Sequence, residues 1–221
     1  MEWHRQVPHR DNAQVKRLVI IGNADVTSDH SEFVNYCDVV IRINLRKTPS
    51  VIRSTIGQKT DVLCYTPRAI SLVLNDDEEL EFLKGYCGHL SQVWFLRPRR
   101  AYWVNRRSFA GFFFRKERFF FDMSMAFIKC LGLKGRRTEF IKMELLNSIV
   151  RKLWNLDPGG LRPSPSAGIM VIEKVLADNE CANFEKYLLG FTFEGWEGHR
   201  WDLEKRLVEG YREKGLLRFC P

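Results

Sequence analysis

Four consecutive apolar residues, Leu18 to Ile21, run without a polar break and stop at Gly22 and Asn23. A strand that is apolar on both faces has to be covered on both. That points to a parallel strand inside an α/β sheet, not to an antiparallel strand with one wet face. The Gly-Asn pair marks a turn at the carboxyl end of this strand, the edge at which open α/β sheets collect their ligands. The chain that follows keeps the same rhythm. "SDHSEFVNY" reads as a short helix capped by Ser28 or Asp29, and Asp38 to Asn44 and Thr60 to Thr66 read as the second and third strands. "DDEELEFLKGY" is an amphipathic helix with its acids in the first turn, and "QVWFLR" is a fourth strand. Strands alternating with helices are the mark of βαβ units.

The expected architecture is one Rossmann-like α/β domain over residues 1–221, with a mostly parallel sheet flanked by helices. Arg97 to Trp154 breaks the alternation: it carries helical patterns, "FFFDMSMAFIKCLGL" and "TEFIKMELLNSIVRKLW", and no clear strand, so it reads as a helical insertion or lid. Beyond the Pro/Gly loop "NLDPGGLRPSPS" come a helix over "AGIMVIEKVLADN", a strand within "FEKYLLGFTF", a helix over "RWDLEKRLVEGYREKG" and a last short strand in "LLRFC".

Charge is unevenly spread. Arg97 to Phe121 holds eight basic residues against one acid and so carries seven of the formal +8, which makes one surface basic and leaves the remainder nearly neutral. Its "FFF" triplets are too apolar for a purely solvated face. Such a stretch suits nucleic acid, an anionic membrane surface or an acidic saccharide, and equally a cationic helix lying over the sheet. The amino-terminal residues are polar and lack the apolar centre of a signal peptide. The six cysteines stand singly, without zinc-ligand spacing, and read as reduced thiols of a cytosolic chain.

Three places could carry chemistry. At Gly22 and Asn23 the backbone can approach a phosphate or a sugar, although the three-glycine dinucleotide fingerprint is absent and a plain tight turn would look the same. At "PSPSAGIM", Ser166 stands as a helix cap, and Ala167 and Gly168 open a helix whose free N–H groups can hold an anion. His199 follows Gly195 and Gly198, immediately precedes a helix, and has Glu204 five residues on. An imidazole there can face a cleft as a general base, or merely cap the helix.

Taken in order, "VIIGNAD", "DVVIRINL", "GQKTDV", "PSPSAGIMVI", "LLGF" and "GHRWDLE" resemble the motifs of the animal-type sialyltransferase family, and the chain looks most like its short bacterial members. The resemblance implies a GT-A-like variant of the Rossmann fold. It also implies an inverting, metal-independent glycosyltransferase that moves a 2-keto acid sugar, sialic acid or Kdo (3-deoxy-manno-octulosonic acid), from its CMP-activated donor to a saccharide hydroxyl. On this reading Gly22, Asn23 and Asn44 meet the donor, as do Ser166, Ala167 and Gly168. His199 is the base and Glu204 sets its loop or ring. Arg99, Arg100, Arg106 and Arg107 contact the acceptor, a glycolipid or a capsule or lipopolysaccharide chain. The protein would need no cofactor, bind no nucleic acid and work in the cytoplasm, in peripheral contact with the inner membrane. The family's disulfide has no counterpart because Leu18 stands in the first cysteine's place, and P-S-T-G has become Pro165, Ser166, Ala167, Gly168. A non-catalytic nucleotide-sugar-binding relative, or a protein that binds nucleic acid or an anionic surface through the basic stretch, would share much of this pattern.

Overall fold

The computed structural model describes residues 15–47, 55–101 and 122–220. Seven strands, β1 (Arg17–Ile21), β2 (Val39–Ile43), β3 (Val62–Tyr65), β4 (Gln92–Phe95), β5 (Arg137–Phe140), β6 (Glu185–Leu189) and β7 (Arg218–Phe219), form one sheet in the order β5-β4-β3-β2-β1-β6-β7. Every pairing is parallel. The strand order runs outward from β1 in both directions, so the connection reverses between β1 and β6. That reversal opens a crevice at the carboxyl edge, where β1, β2 and β6 end.

The helices in chain order are α1 (Ser31–Tyr36), α2 (Pro67–Leu74), α3 (Asp77–Lys84), α4 (Ser124–Cys130), α5 (Met143–Leu156), α6 (Ala167–Ala177) and α7 (Trp201–Glu213). Side-chain alternation along β1 shows why both faces need cover. Leu18 and Ile20 enter a core with residues of α5, α6 and α7, whereas Val19 and Ile21 enter one with Val34 of α1. A third core packs Leu63, Tyr65, Val93 and Phe95 against α2, α3 and α4. Each such aliphatic side chain contributes roughly 1.5–3 kcal/mol by leaving water, so the sheet centre is the rigid part that the crevice residues inherit.

The structure departs from the sequence expectations at three points. Within 97–154, where the sequence shows no clear strand, Arg137–Phe140 is β5, paired along β4. Its "RTEF" lies at the sheet's edge with its first two residues exposed, so no apolar run announces it. Residues 102–121 of the same stretch lie outside the described residues. Second, α2 follows β3 at once, where no helix was expected. Its signal is Thr66 as N-cap, accepting from the N–H of Ala69, with Pro67 at the first helical position. Third, the formal cap of α1 is His30, although the Asp29 carboxylate does accept the Ser31 N–H at 2.8 Å. The six cysteines are all free, with Cys37, Cys64 and Cys87 buried as core filler.

Candidate active site

Across the carboxyl ends of β1, β2 and β6 runs a cleft with two contiguous lobes of about 390 and 400 Å³, which share Gly22, Asn23, Ala24, Ile43 and Asn44 as a common floor. The first lobe gathers Ser166, Ala167, Gly168, His199 and Glu204 around that floor. All eight residues read from the sequence as donor-binding or catalytic therefore lie in one cavity, although they come from points 182 residues apart (Gly22 to Glu204).

The floor is fixed by the sheet. Gly22 donates to the carbonyl of Leu189, and a side chain at Gly22 would meet the carbonyl oxygen of Gly190 at 2.3 Å. The turn after β1 thus rests directly on the turn after β6, where Gly190 itself has φ 69°. Asn44 ends β2 in the left-handed region, φ 47°, a conformation that asparagine tolerates better than most residues. Its side-chain oxygen accepts from the N–H of Thr66 at 2.9 Å, so it also holds the start of α2. The Nδ2 amide is the part of Asn44 left to donate into the cleft.

The wall beside the first lobe is a chain of buried polar contacts. Glu204, 1 % exposed, accepts from the Ser166 N–H at 2.8 Å and the Ser166 hydroxyl at 2.5 Å. The Ser166 hydroxyl in turn accepts from the Ile169 N–H at 3.3 Å and caps α6. Ser166 is thereby committed to the fold. Ala167 and Gly168 line the cleft, and N–H groups in the first turn of a helix have no partner within the helix and can meet an anion. Burial pushes the Glu204 carboxyl above the ordinary carboxylate range, against the opposing pull of the Ser166 bonds and of His199. The hydrogen bonds of Glu204 go to Ser166, and none joins it to the imidazole.

His199 is held by that loop. Its Nδ1 lies 2.7 Å from the carbonyl oxygen of Ser164, two residues before Ser166. A carbonyl only accepts, so Nδ1 carries a proton there, and in the neutral ring Nε2 is the nitrogen with the lone pair. Trp196 and Trp201 close on the imidazole edge to face, each 4.9 Å between ring centres, and the Trp201 indole donates to the Trp196 carbonyl at 3.0 Å. Arg200 ties the same loop to the end of α5 through Asp157 at 2.9 Å, and pairs with Asp202 in the first turn of α7 at 2.9 Å. A half-buried imidazole with one nitrogen anchored and the other a free acceptor can take a proton from a hydroxyl in the cleft.

Of the four arginines expected to meet an acceptor, Arg99 and Arg100 are not in this cleft. Arg99 and Arg100 border a separate cavity with Phe140 and Lys142, and Arg99 pairs with Asp122 at 3.8 Å and lies over the Phe140 ring. Arg106 and Arg107 lie outside the described residues. Sequence reasoning missed Ser164, Thr66 and the arginines of the second lobe. Among these, Thr66 had a signal in the Thr-Pro helix start, whereas Ser164 had none.

No family model matches the chain. It is 25 % identical over 203 residues, 91 % of each chain, to the urease operon 23 kDa accessory protein of Rhizobium meliloti (strain 1021). Among solved structures it resembles the sialyltransferase CstII from Campylobacter jejuni, determined with the substrate analogue CMP-3FNeuAc. The TM-score is 0.51 at 10 % identity, over 92 % of this chain and 79 % of that one. An α-2,3-sialyltransferase from Campylobacter jejuni gives TM-score 0.51 at 9 % identity, over 94 % of this chain and 75 % of that one. The fold is therefore sialyltransferase-like, a GT-A-type α/β domain whose sheet is parallel throughout. Among the described residues no helix is long and apolar enough to cross a membrane.

Proposed function

We propose that the chain is an inverting glycosyltransferase that moves a 2-keto acid sugar, sialic acid or Kdo, from its CMP-activated form to a saccharide hydroxyl. The observation that carries this reading is His199. Its Nδ1 is anchored on the Ser164 carbonyl, and its ring lines the same cavity as Asn23, Asn44 and the first turn of α6. The structural likeness to sialyltransferases, one of them solved with CMP and a trisaccharide acceptor, supports it.

In the proposed reaction the acceptor oxygen bonds to the anomeric carbon while the bond from that carbon to the phosphate oxygen breaks. CMP leaves with the electron pair, and the hydroxyl proton passes to Nε2 of His199. Negative charge accumulating on the phosphate meets the N–H groups of Ala167 and Gly168 at the positive end of α6. Asn23 and the Asn44 amide hold the donor over the strand ends. Glu204 and Ser166 are positioning residues that keep Ser164, and through it the imidazole, in place. The reaction so written asks no metal of the protein, and transfer should survive EDTA.

The test is direct. CMP should raise the melting temperature of the full chain in a nucleotide panel. His199→Ala should then lose about 10² to 10⁴ in kcat while binding CMP as the wild type does. Undiminished transfer by His199→Ala would remove the base from this scheme. Salt-dependent oligonucleotide binding without any response to cytidine nucleotides would replace the scheme altogether.

A further inference from the structure

We propose that the second lobe of the cleft is a subsite for an anionic oxygen group, a carboxylate or phosphate borne by the saccharide substrates, with Arg68 as its specificity-determining contact. This deepens the transferase reading and rests on it for the identity of the substrates.

Three arginines, Arg42, Arg46 and Arg68, line this lobe against one acid, the exposed Asp25. They are not equivalent. Arg46 is neutralised by the buried Glu79 at 3.0 Å, so it serves as wall. Arg42, 2 % exposed, is held by neutral oxygens: the carbonyls of Ile56 and Gly57 at 3.0 and 2.8 Å and the hydroxyl of Thr60 at 2.9 Å. It has no carboxylate partner among the described residues, so its positive charge is met in a low-dielectric floor by the dipoles of neutral oxygens alone. That burial pushes its pKa down to about 10, which still leaves it charged at neutral pH.

Arg68 stands exposed in the first turn of α2, a turn that contains no acid. A cation at the positive end of a helix is unfavourable, and among the described residues no carboxylate pairs with it. Two unneutralised cations and the helix end therefore converge on one cavity. The cavity shares Asn23 and Asn44 with the lobe of His199, so a saccharide bound at the base reaches the arginines without leaving the cleft. A guanidinium offers the planar fork that a carboxylate or phosphate accepts in two bonds.

The experiment compares the full wild-type chain with Arg68→Gln and Arg68→Glu, neither of which should melt below the wild type, because the side chain is exposed and the first turn of α2 favours a neutral or acidic residue over a cation. Affinity for CMP should be unchanged in all three. Affinity for CMP-N-acetylneuraminic acid, measured by calorimetry, or KM for a glucuronate-terminated acceptor against its neutral counterpart, should worsen roughly tenfold in Arg68→Gln and further in Arg68→Glu. A loss in the first places the anion on the donor sugar, and a loss in the second places it on the acceptor. Free glucuronate and free N-acetylneuraminate, with glucose as control, serve as probes that need no nucleotide. If they stabilise the wild type and not Arg68→Glu while no cytidine nucleotide binds, the subsite stands and the CMP-sugar reading falls. If CMP binds but the acidic ligands act on all three proteins alike, the subsite is wrong and the transferase reading is untouched.

Discussion

The floor of the cleft and the wall that carries His199 are built by different means. Gly22, Asn23 and Asn44 sit at the ends of strands whose backbone is already fixed by pairing, so their positions follow from the sheet itself. His199 and Ser166 depend on side chains reaching across the sequence: Glu204 to Ser166 over 38 residues and His199 to Ser164 over 35. The floor is rigid because main-chain atoms touch main-chain atoms. The wall holds only while a buried carboxyl keeps both of its bonds to one serine. A floor residue can therefore be damaged by adding an atom, and a wall residue by removing one.

Gly22→Ala tests the floor and should have the largest effect on stability. The new methyl would meet the Gly190 carbonyl oxygen at 2.3 Å, and neither backbone can step aside without disturbing β1 or β6. Overpacking of this kind costs typically about 1–3 kcal/mol, and with backbone on both sides the upper end is expected. Chemical denaturation should show the loss, and CMP binding should weaken with it because Asn23 shifts too. Wild-type stability in Gly22→Ala would mean that the two turns are less tightly seated than described.

Next in size is the wall. Glu204→Ala leaves the Ser166 N–H buried without an acceptor, at a cost of about 1–3 kcal/mol. It also frees the loop that anchors the imidazole, so kcat should fall more than the affinity for CMP. Glu204→Gln can accept the N–H with its carbonyl and meet the hydroxyl with its amide, and should recover most of both. If Glu204→Gln proved as inactive as Glu204→Ala, the carboxyl would have a chemical task of its own and the positioning role assigned to it would be wrong.

The same contrast explains what could be read from the chain beforehand. The floor was legible because its cause is local: an apolar run that stops at Gly22 and Asn23 needs only its neighbours to be recognised as a buried strand and its turn. The α/β alternation followed in the same way, except where burial was partial. "RTEF" at the sheet edge has no apolar periodicity to display, and α2 was hidden because its start is one Thr-Pro pair pressed against β3. The motif order brought His199 and Glu204 together, with the base expected at one and the setting of its loop or ring at the other, yet the contacts that hold each were invisible. Which oxygen Glu204 bonds, and which nitrogen of His199 is tied down, depends on a serine loop that nothing in the intervening sequence points to. Arg68 was passed over for a related reason, since one basic residue after a proline has no signature until the cavity around it is seen.

The smallest effect is one of pH, and it isolates Glu204 from the rest of the wall. Burial raises the Glu204 carboxyl above its ordinary value, so between the unfolded and the folded pKa the native protein holds a proton that the unfolded chain has released. With more protons bound in the native state, the unfolding free energy falls as pH rises through that window. The fall begins near the ordinary glutamate value and ends once Glu204 is ionised in the fold. Other carboxyls work in the opposite sense. Asp202, held down by its hydrogen bond to Arg200, and Asp29, held down by Ser31, each add stability that is lost as pH falls. Both remain in Glu204→Gln, so the difference between wild-type and variant denaturation midpoints across a pH series leaves Glu204 alone. The wild type should lose ground to Glu204→Gln as pH rises from the carboxylate range towards neutrality. A difference that stays flat, or that grows in the wild type's favour, would mean that the two Ser166 bonds outweigh burial and that the wall rests on a stable carboxylate.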